Sequence, residues 1–264
     1  MDPFLSSPVI IQSGTGSVRR SIFFNNSSFV GGAIDNGGTL DIASSRFIGN
    51  KADFPGGGAI ANVGVLTIED SEFTGSVAPL AAGTVLNQGS LTVTNTTFAN
   101  NLALGPGGGA IAGGSMVIRD CDFLNNQGGT SGGALFVGGD VTIAGGTFSG
   151  NHARQGGAIY SGADPLTISG SVIITNRAEV DGGGIFVAAG SLVQDNNTFI
   201  DNFPNDVAPA AQSTSIAAPS STAAPSTTVD LEAWNAWLRS QVLFSLTASQ
   251  QEIAARRAAQ TQQQ

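Results

Sequence analysis

One cysteine and one histidine are all that 264 residues contain. The lone Cys121 has no disulfide partner within the chain and builds no thiolate metal cluster, and the lone His152 excludes a site made of several imidazoles. Charge is scarce as well: Asp, Glu, Lys and Arg make up 11% of the residues, and ten basic against nineteen acidic side chains leave a net charge of −9. Basic residues adjoin each other only at Arg19-Arg20 and Arg256-Arg257. No patch able to neutralise a phosphate backbone is present, so nucleic acid is not an expected partner. Nor does any stretch reach the ~18–20 uninterrupted apolar residues of a membrane-spanning helix. The opening "MDPFLSSPVIIQSGTGS" has no basic n-region, no continuous apolar h-region and no small-residue cleavage site, and is not expected to act as a secretory signal.

What the chain has in abundance is glycine, 37 residues, about twice the ordinary frequency. These glycines recur in order. "GGAI" stands at 31, 57, 108 and 156, "GGAL" at 132, "GGGI" at 182, and a worn copy, "AGTV", at 82. An "FxxN" element follows each and one precedes the first, ending at Asn26, Asn50, Ser76, Asn101, Asn126, Asn151, Asn176 and Asn202, with spacings of 24 to 26 residues. Three positions before these stand Phe23, Phe47, Phe73, Phe98, Phe123, Phe148, Ile173 and Phe199. A fixed period of this length belongs to repeat architectures, and propeller blades at ~40–50 residues are too long for it.

Within a unit the pattern is that of strands. Leu40 and Ile42, then Ser45 and Phe47, alternate with polar residues, as do Leu66 and Ile68, then Ser71 and Phe73, and helical periodicity is absent from the repeats. The expected fold is all-β: a parallel β-helix solenoid of about seven 25-residue coils, three short strands to a coil, with like residues stacked ~4.8 Å apart. The phenylalanines would form one internal column and Ile34, Ile60, Val85, Ile111, Leu135, Ile159 and Ile185 another. A third would run through Leu40, Leu66, Leu91, Val117, Val141, Leu166 and Leu192. The asparagines, Asn26 to Asn202, would form a ladder in which each amide satisfies the next. Glycine pairs would supply the permissive backbone of a tight corner.

The repeat domain is expected over 1–207. The Ala/Pro/Ser/Thr-rich run 208–228 cannot bury a core and reads as a disordered linker. Residues 229–264 form the one helical-looking segment, with Asp230 and Glu232 suited to a helix N-terminus and Leu231, Trp234, Leu238 and Val242 on one face. Together with Trp237 they make a candidate partner helix, which docks on an open end or flank of the solenoid or mediates oligomerisation.

Tandem "GGA[ILV]" with "FxxN" at this spacing, over about 21–202, resembles the repeat of chlamydial polymorphic membrane proteins and related right-handed β-helix proteins, a pectin-lyase-like fold. That resemblance, with the long coil, implies right-handedness, and it implies a passenger domain displayed at the cell surface or outside the cell for adhesion. The corresponding function is a non-catalytic, adhesin-like scaffold for protein or glycan partners. The alternative is a polysaccharide lyase, hydrolase or epimerase. Such enzymes need grouped carboxylates for acid–base work or Ca²⁺, and none of the adjacent "DD", "NTD", "GHG", "RIK" or "DPHE" signatures is found. Residues 1–228 carry 7 basic and 16 acidic side chains, a poor balance for an anionic glycan. No catalytic, cofactor or metal residue is assigned. Asp120 and Asp122, flanking Cys121, fall on the outward phase of a strand, with Cys121 in the small inward position of Ser45, Ser71 and Thr96. Lys51, His152, Arg154, Arg177, Glu179 and Asp181, in the short corners after FxxN, form a candidate binding edge. The sequons at Asn25, Asn26, Asn95 and Asn196 would matter only in a eukaryotic secretory route.

Overall fold

A strand whose alternate residues are apolar needs a second surface on which to bury them, and here that surface is the inside of the chain's own next turn. The computed structural model describes residues 9–11, 13–162 and 165–209. They wind through about eight turns into four parallel sheets of nine, eight, eight and seven strands, numbered I to IV below. One turn runs Ile34–Asn36 in sheet I, Thr39–Ala43 in sheet II, Arg46–Ile48 in sheet III and Lys51–Ala52 in sheet IV. Each strand pairs in register with its equivalents a turn before and after, as in Leu40↔Leu66↔Leu91 and Phe47↔Phe73↔Phe98.

Four strands per turn, rather than the three expected, come from a signal hidden in the corner after FxxN. Its second residue is small, and Ala52, Ala78, Ala103, Ala153 and Ala178 point inward, fully buried. Two-residue ladders are too short to show alternation, so the fourth sheet reads as a loop in the sequence. The third aliphatic column also differs. It passes through Met116, which pairs with Leu91 and Val141, while Val117 faces outward. The turn Gly113–Ser115 is one residue shorter than its counterparts, and a one-residue slip exchanges the two faces of a strand. Residues 229–264, with the candidate helix, lie outside the described residues. Of the run 208–228 expected as a linker, Ala208 and Pro209 belong to the strand Val207–Pro209, paired with Ile185–Val187, and the remainder lies outside the described residues.

Inside the cylinder the phenylalanine rings stack with centroids 4.5–5.1 Å apart from Phe23 to Phe148. The offset-stacked arrangement favours such pairs beyond their buried area, and Ile173 ends the run before Phe199. Two corner columns hold left-handed backbone. One comprises Arg20, Ser44, Asp70, Asn95, Asp120, Gly145, Gly170 and Asn196, and the other runs from Asn25 to Asp201 just before each ladder position. Asn and Asp tolerate that region because their side chains bond locally.

The second glycine of each pair does a different job from the one the sequence suggests. Gly32, Gly58, Gly83, Gly109, Gly133, Gly157 and Gly183 have ordinary φ, but a Cβ on any of them would lie 1.8–2.3 Å from a carbonyl oxygen of the next turn. Space between turns, not backbone freedom, demands glycine there. The worn copy shows the hierarchy: Ala82 replaces the first glycine, and Gly83 keeps the second.

The asparagine ladder runs down the corner between sheets III and IV. Asn126 Oδ1 accepts from the backbone N–H of Asn101 at 3.1 Å and from its Nδ2 at 2.9 Å, while Asn126 Nδ2 donates to Asn151 Oδ1 and to the Phe98 carbonyl. The same bonds link Asn151 to Asn176 and Asn176 to Asn202. A second, shorter ladder escaped the sequence reading: Asn36, Asn62 and Asn87, two residues after the aliphatic of sheet I, join through 2.7 Å amide bonds. Its signal was present in "AIDN", "AIAN" and "TVLN". The first ladder is broken at Ser76, whose Oγ is buried without a hydrogen-bond partner. Ser76→Asn is expected to supply an acceptor for Asn50 and a donor to Asn101, raising stability by ~1–2 kcal/mol. Urea unfolding checks this through a higher midpoint at unchanged slope.

Sheet I has apolar residues on both faces. Its outward residues Ala61, Leu86, Ala112 and Phe136 are buried against Val30, Ala81 and Ala82 from the segments that lead into the sheet. Tyr160 stacks between Phe136 and Phe186 at 5.3 and 5.5 Å, and burial pushes its hydroxyl pKa up. Sheets II, III and IV are left to present the outer surface.

Candidate functional site

On sheet IV the outward residue of each strand falls in one file: Ser27, Lys51, Val77, Leu102, Gln127, His152 and Arg177. The candidate edge therefore lies on one face, but not at one place. Lys51 stands four turns from His152, roughly 19 Å at the spacing of stacked strands. It pairs instead with Asp53, which also accepts from Ser27, and these partners hold the Asp53 carboxyl below its ordinary pKa. Lys51 is thus removed from the cluster, because the repeat brings together residues of adjacent turns only.

The other five gather at the C-terminal end of the sheet. His152 Nε2 lies 4.0 Å from Glu179 Oε1, and the Arg177 guanidinium carbon sits 5.3 Å from the centroid of the Phe203 ring. Asp181 Oδ1 accepts from Asn205 Nδ2 at 2.6 Å. The ladder between His152–Gln155 and Arg177–Asp181 slips between Ala153 and Gln155, so that three steps on the last strand oppose two on its neighbour. Such a bulge bends the strand and re-aims its side chains. Here Glu179 and Val180 both face solvent, beside exposed Arg154. Val180 and Phe203 are 51% and 58% exposed. The result is a patch of two guanidinium groups, an imidazole, two carboxylates and an amide around two apolar side chains. Val180, Phe203 and Asn205 were missed in the sequence. "FPND" after Asn202 departs from every other post-ladder corner and was the available signal.

A second cluster, also missed, is a shallow depression near the other end of sheet II, lined by Arg19, Asp41, Ala43, Thr67 and Glu69. Register explains it: Arg19, Ala43 and Glu69 occupy one step of the repeat on successive turns, and Ser17, Asp41 and Thr67 another. Small Ala43 leaves the gap between the longer side chains. On sheet III, Arg46 and Glu72 form a 2.8 Å ion pair that holds the Glu72 carboxyl below its ordinary pKa. No group of three or more His, Cys, Asp or Glu side chains suited to a metal ion occurs among the described residues.

Asp120 is exposed and Asp122 half-buried, with Cys121 between them turned inward and 1% exposed. Its Sγ donates to the Arg119 carbonyl, and burial pushes its thiol pKa up to about 11. A thiol held protonated is a poor nucleophile. Native protein at neutral pH is expected to resist alkylation at Cys121 by orders of magnitude relative to the urea-unfolded chain, as timed thiol titration would measure. The linkage has a definite sign. Because the folded state retains the proton that the unfolded thiol releases, stability is complete below about pH 9 and declines towards pH 11, a loss of ~2–3 kcal/mol that Cys121→Ser avoids.

A model of the family described as right handed beta helix region matches residues 56–222, more than half of the chain. No curated protein and no solved structure matches it. Among the described residues no helix is long and apolar enough to cross a membrane.

Proposed function

The chain belongs to the right-handed β-helix family, and from that premise we propose that it is a non-catalytic scaffold, displayed at the cell surface or outside the cell, which binds a protein or glycan partner. The bulged patch at the C-terminal end of sheet IV carries this reading. In-register stacking gives each turn of sheet IV one outward residue at the step of Lys51, Leu102 and Gln127. The slip at Arg177–Asp181 breaks that rule and sets Arg154, Arg177, Glu179, Val180 and Phe203 on a common surface. Arg over an aromatic ring beside exposed apolar groups is the composition of a recognition patch rather than of acid–base chemistry. The likeness of the GGA[ILV]/FxxN repeat to that of the polymorphic membrane proteins supports an adhesive passenger over other scaffolds.

The depression at Arg19, Asp41 and Glu69 favours a second reading, a polysaccharide-active enzyme. Two carboxylates and a guanidinium are the minimum for acid–base work on a uronate. The two readings separate in one set of assays. Binding to a glycan array or to intact cells is expected to weaken at least tenfold in Arg177→Ala and Phe203→Ala and to be unchanged in Lys51→Ala, with no turnover of pectate or alginate. Turnover that disappears in Asp41→Asn or Glu69→Gln would replace the scaffold by the enzyme.

A further inference from the structure

The solenoid core is sealed along its length and bare at its ends. Interior side chains from Ile34 to Ile185 are buried, whereas Val18 and Phe23 in the first turn, and Val187, Leu192, Phe199 and Val207 in the last, are only partly covered. Outward side chains of the same region are apolar too: Val193 is 53% exposed and Ile200 41%. The last strands of sheets II and III, Leu192–Asp195 and Thr198–Ile200, have a neighbour on one side only. A depression opens between them, lined by Gln194, Asn197 and Phe199 among others. Open strand edges over an open core invite pairing with other chains, and repeat proteins need something to cover them.

We propose that residues 229–244 of the same chain cover this end, seating Leu231, Trp234, Leu238 and Val242 on Leu192, Phe199 and Val207. The spacing of those four positions by three and four is what one face of a helix would present. Chain geometry selects the near end. The described chain leaves the solenoid there, through Val207–Pro209 at the end of sheet I. Twenty-one residues lie between Pro209 and Leu231, and a flexible chain of that length spans about 25 Å on average. That reaches across the near end with slack, while the far end lies roughly 35 Å away along the axis. The near end therefore meets the segment at the higher effective concentration.

The test uses the full chain and its own fluorophores, because both tryptophans, Trp234 and Trp237, lie in this segment. In the native protein, acrylamide quenching is expected to be severalfold weaker than in the urea-unfolded chain and unchanged on hundredfold dilution. Leu192→Asp should restore the unfolded level of quenching, and Val18→Asp at the opposite end should not, with circular dichroism reporting the solenoid in each. A milder variant guards against loss of fold. A quencher attached at Gln194→Cys should darken the tryptophans, and one at Ser17→Cys should not, buried Cys121 being unreactive in both. Native quenching at the unfolded level would overturn the proposal. So would equal darkening from the two labelled ends, or protection that falls on dilution with a doubled mass, which would assign the segment to a second copy.

Discussion

Gly109→Ala is expected to cost at least ~3 kcal/mol, enough to remove much of the stability of an ordinary domain, although it adds one methyl group. A Cβ at Gly109 would lie 2.0 Å from the Gly133 carbonyl oxygen and 2.6 Å from the backbone of Gln127. All these atoms belong to the next turn's main chain, so no side chain can rotate away. Relief requires moving adjacent turns apart, and that stretches the hydrogen bonds from Gly109 to Gly132 and from Ala110 and Ile111 to Ala134. Gly114→Ala supplies the control. It sits in the same turn with ordinary φ and open space around it, and is expected to be neutral or to stabilise by ~0.4–1 kcal/mol through the unfolded chain. Urea unfolding of the pair decides the matter. If both variants fall within 1 kcal/mol of wild type, the close approach of turns is not what fixes glycine at this step.

The architecture was legible because stacking turns a local pattern into a long-range one. Each inward residue has the same neighbours above and below, so Phe47, Phe73 and Phe98 announce their contacts simply by recurring. The same property hides whatever occurs once. The fourth sheet was invisible because Lys51–Ala52 and most of its equivalents are two residues long, and Val117 was placed in the column in Met116's stead because one turn lost a residue without any change in composition. The two reasons for glycine were also inseparable in sequence. Positive φ and lack of room both select against a side chain, and only the position of the facing carbonyl distinguishes them.

Sites suffer more from this than folds do. A repeat gives each turn one residue at each step, so a cluster needs either neighbouring turns with unlike residues at one step or a break in register. Arg19, Ala43 and Glu69 are the first kind, legible once the register is known. The patch around Arg177 is the second, since the extra residue that turns Glu179 and Val180 outward is a departure from the pattern used to find everything else. Lys51 was grouped with it because both occupy the same step; distance along the axis, four turns, was the missing quantity.

Asn126→Leu, nearly isosteric, is expected to cost ~3–5 kcal/mol, far beyond what its modest change in volume would suggest. The amide makes four bonds to groups on the turns before and after it. Removing it strands the backbone N–H of Asn101 in the interior and takes a donor from the carbonyl of Phe98, and a buried polar group left without a partner costs ~1–3 kcal/mol. Asn101 Nδ2 keeps its bond to the Phe73 carbonyl, and Asn151 Oδ1 keeps the Asn126 backbone N–H, so the loss stays local. Gln127→Ala, one residue on and exposed, should change stability by no more than ~0.5 kcal/mol. Asn126→Asp separates hydrogen bonding from packing: the side chain keeps its shape and its acceptor but, ionised, offers no proton to Phe98 and sets a buried charge beside two oxygens. It should be at least as destabilising as the leucine at neutral pH and recover part of the loss in acid, when a protonated carboxyl can donate again. Chemical denaturation of the three variants at pH 7 and pH 4 measures the order. A leucine variant as stable as Gln127→Ala would mean that the ladder only fills space.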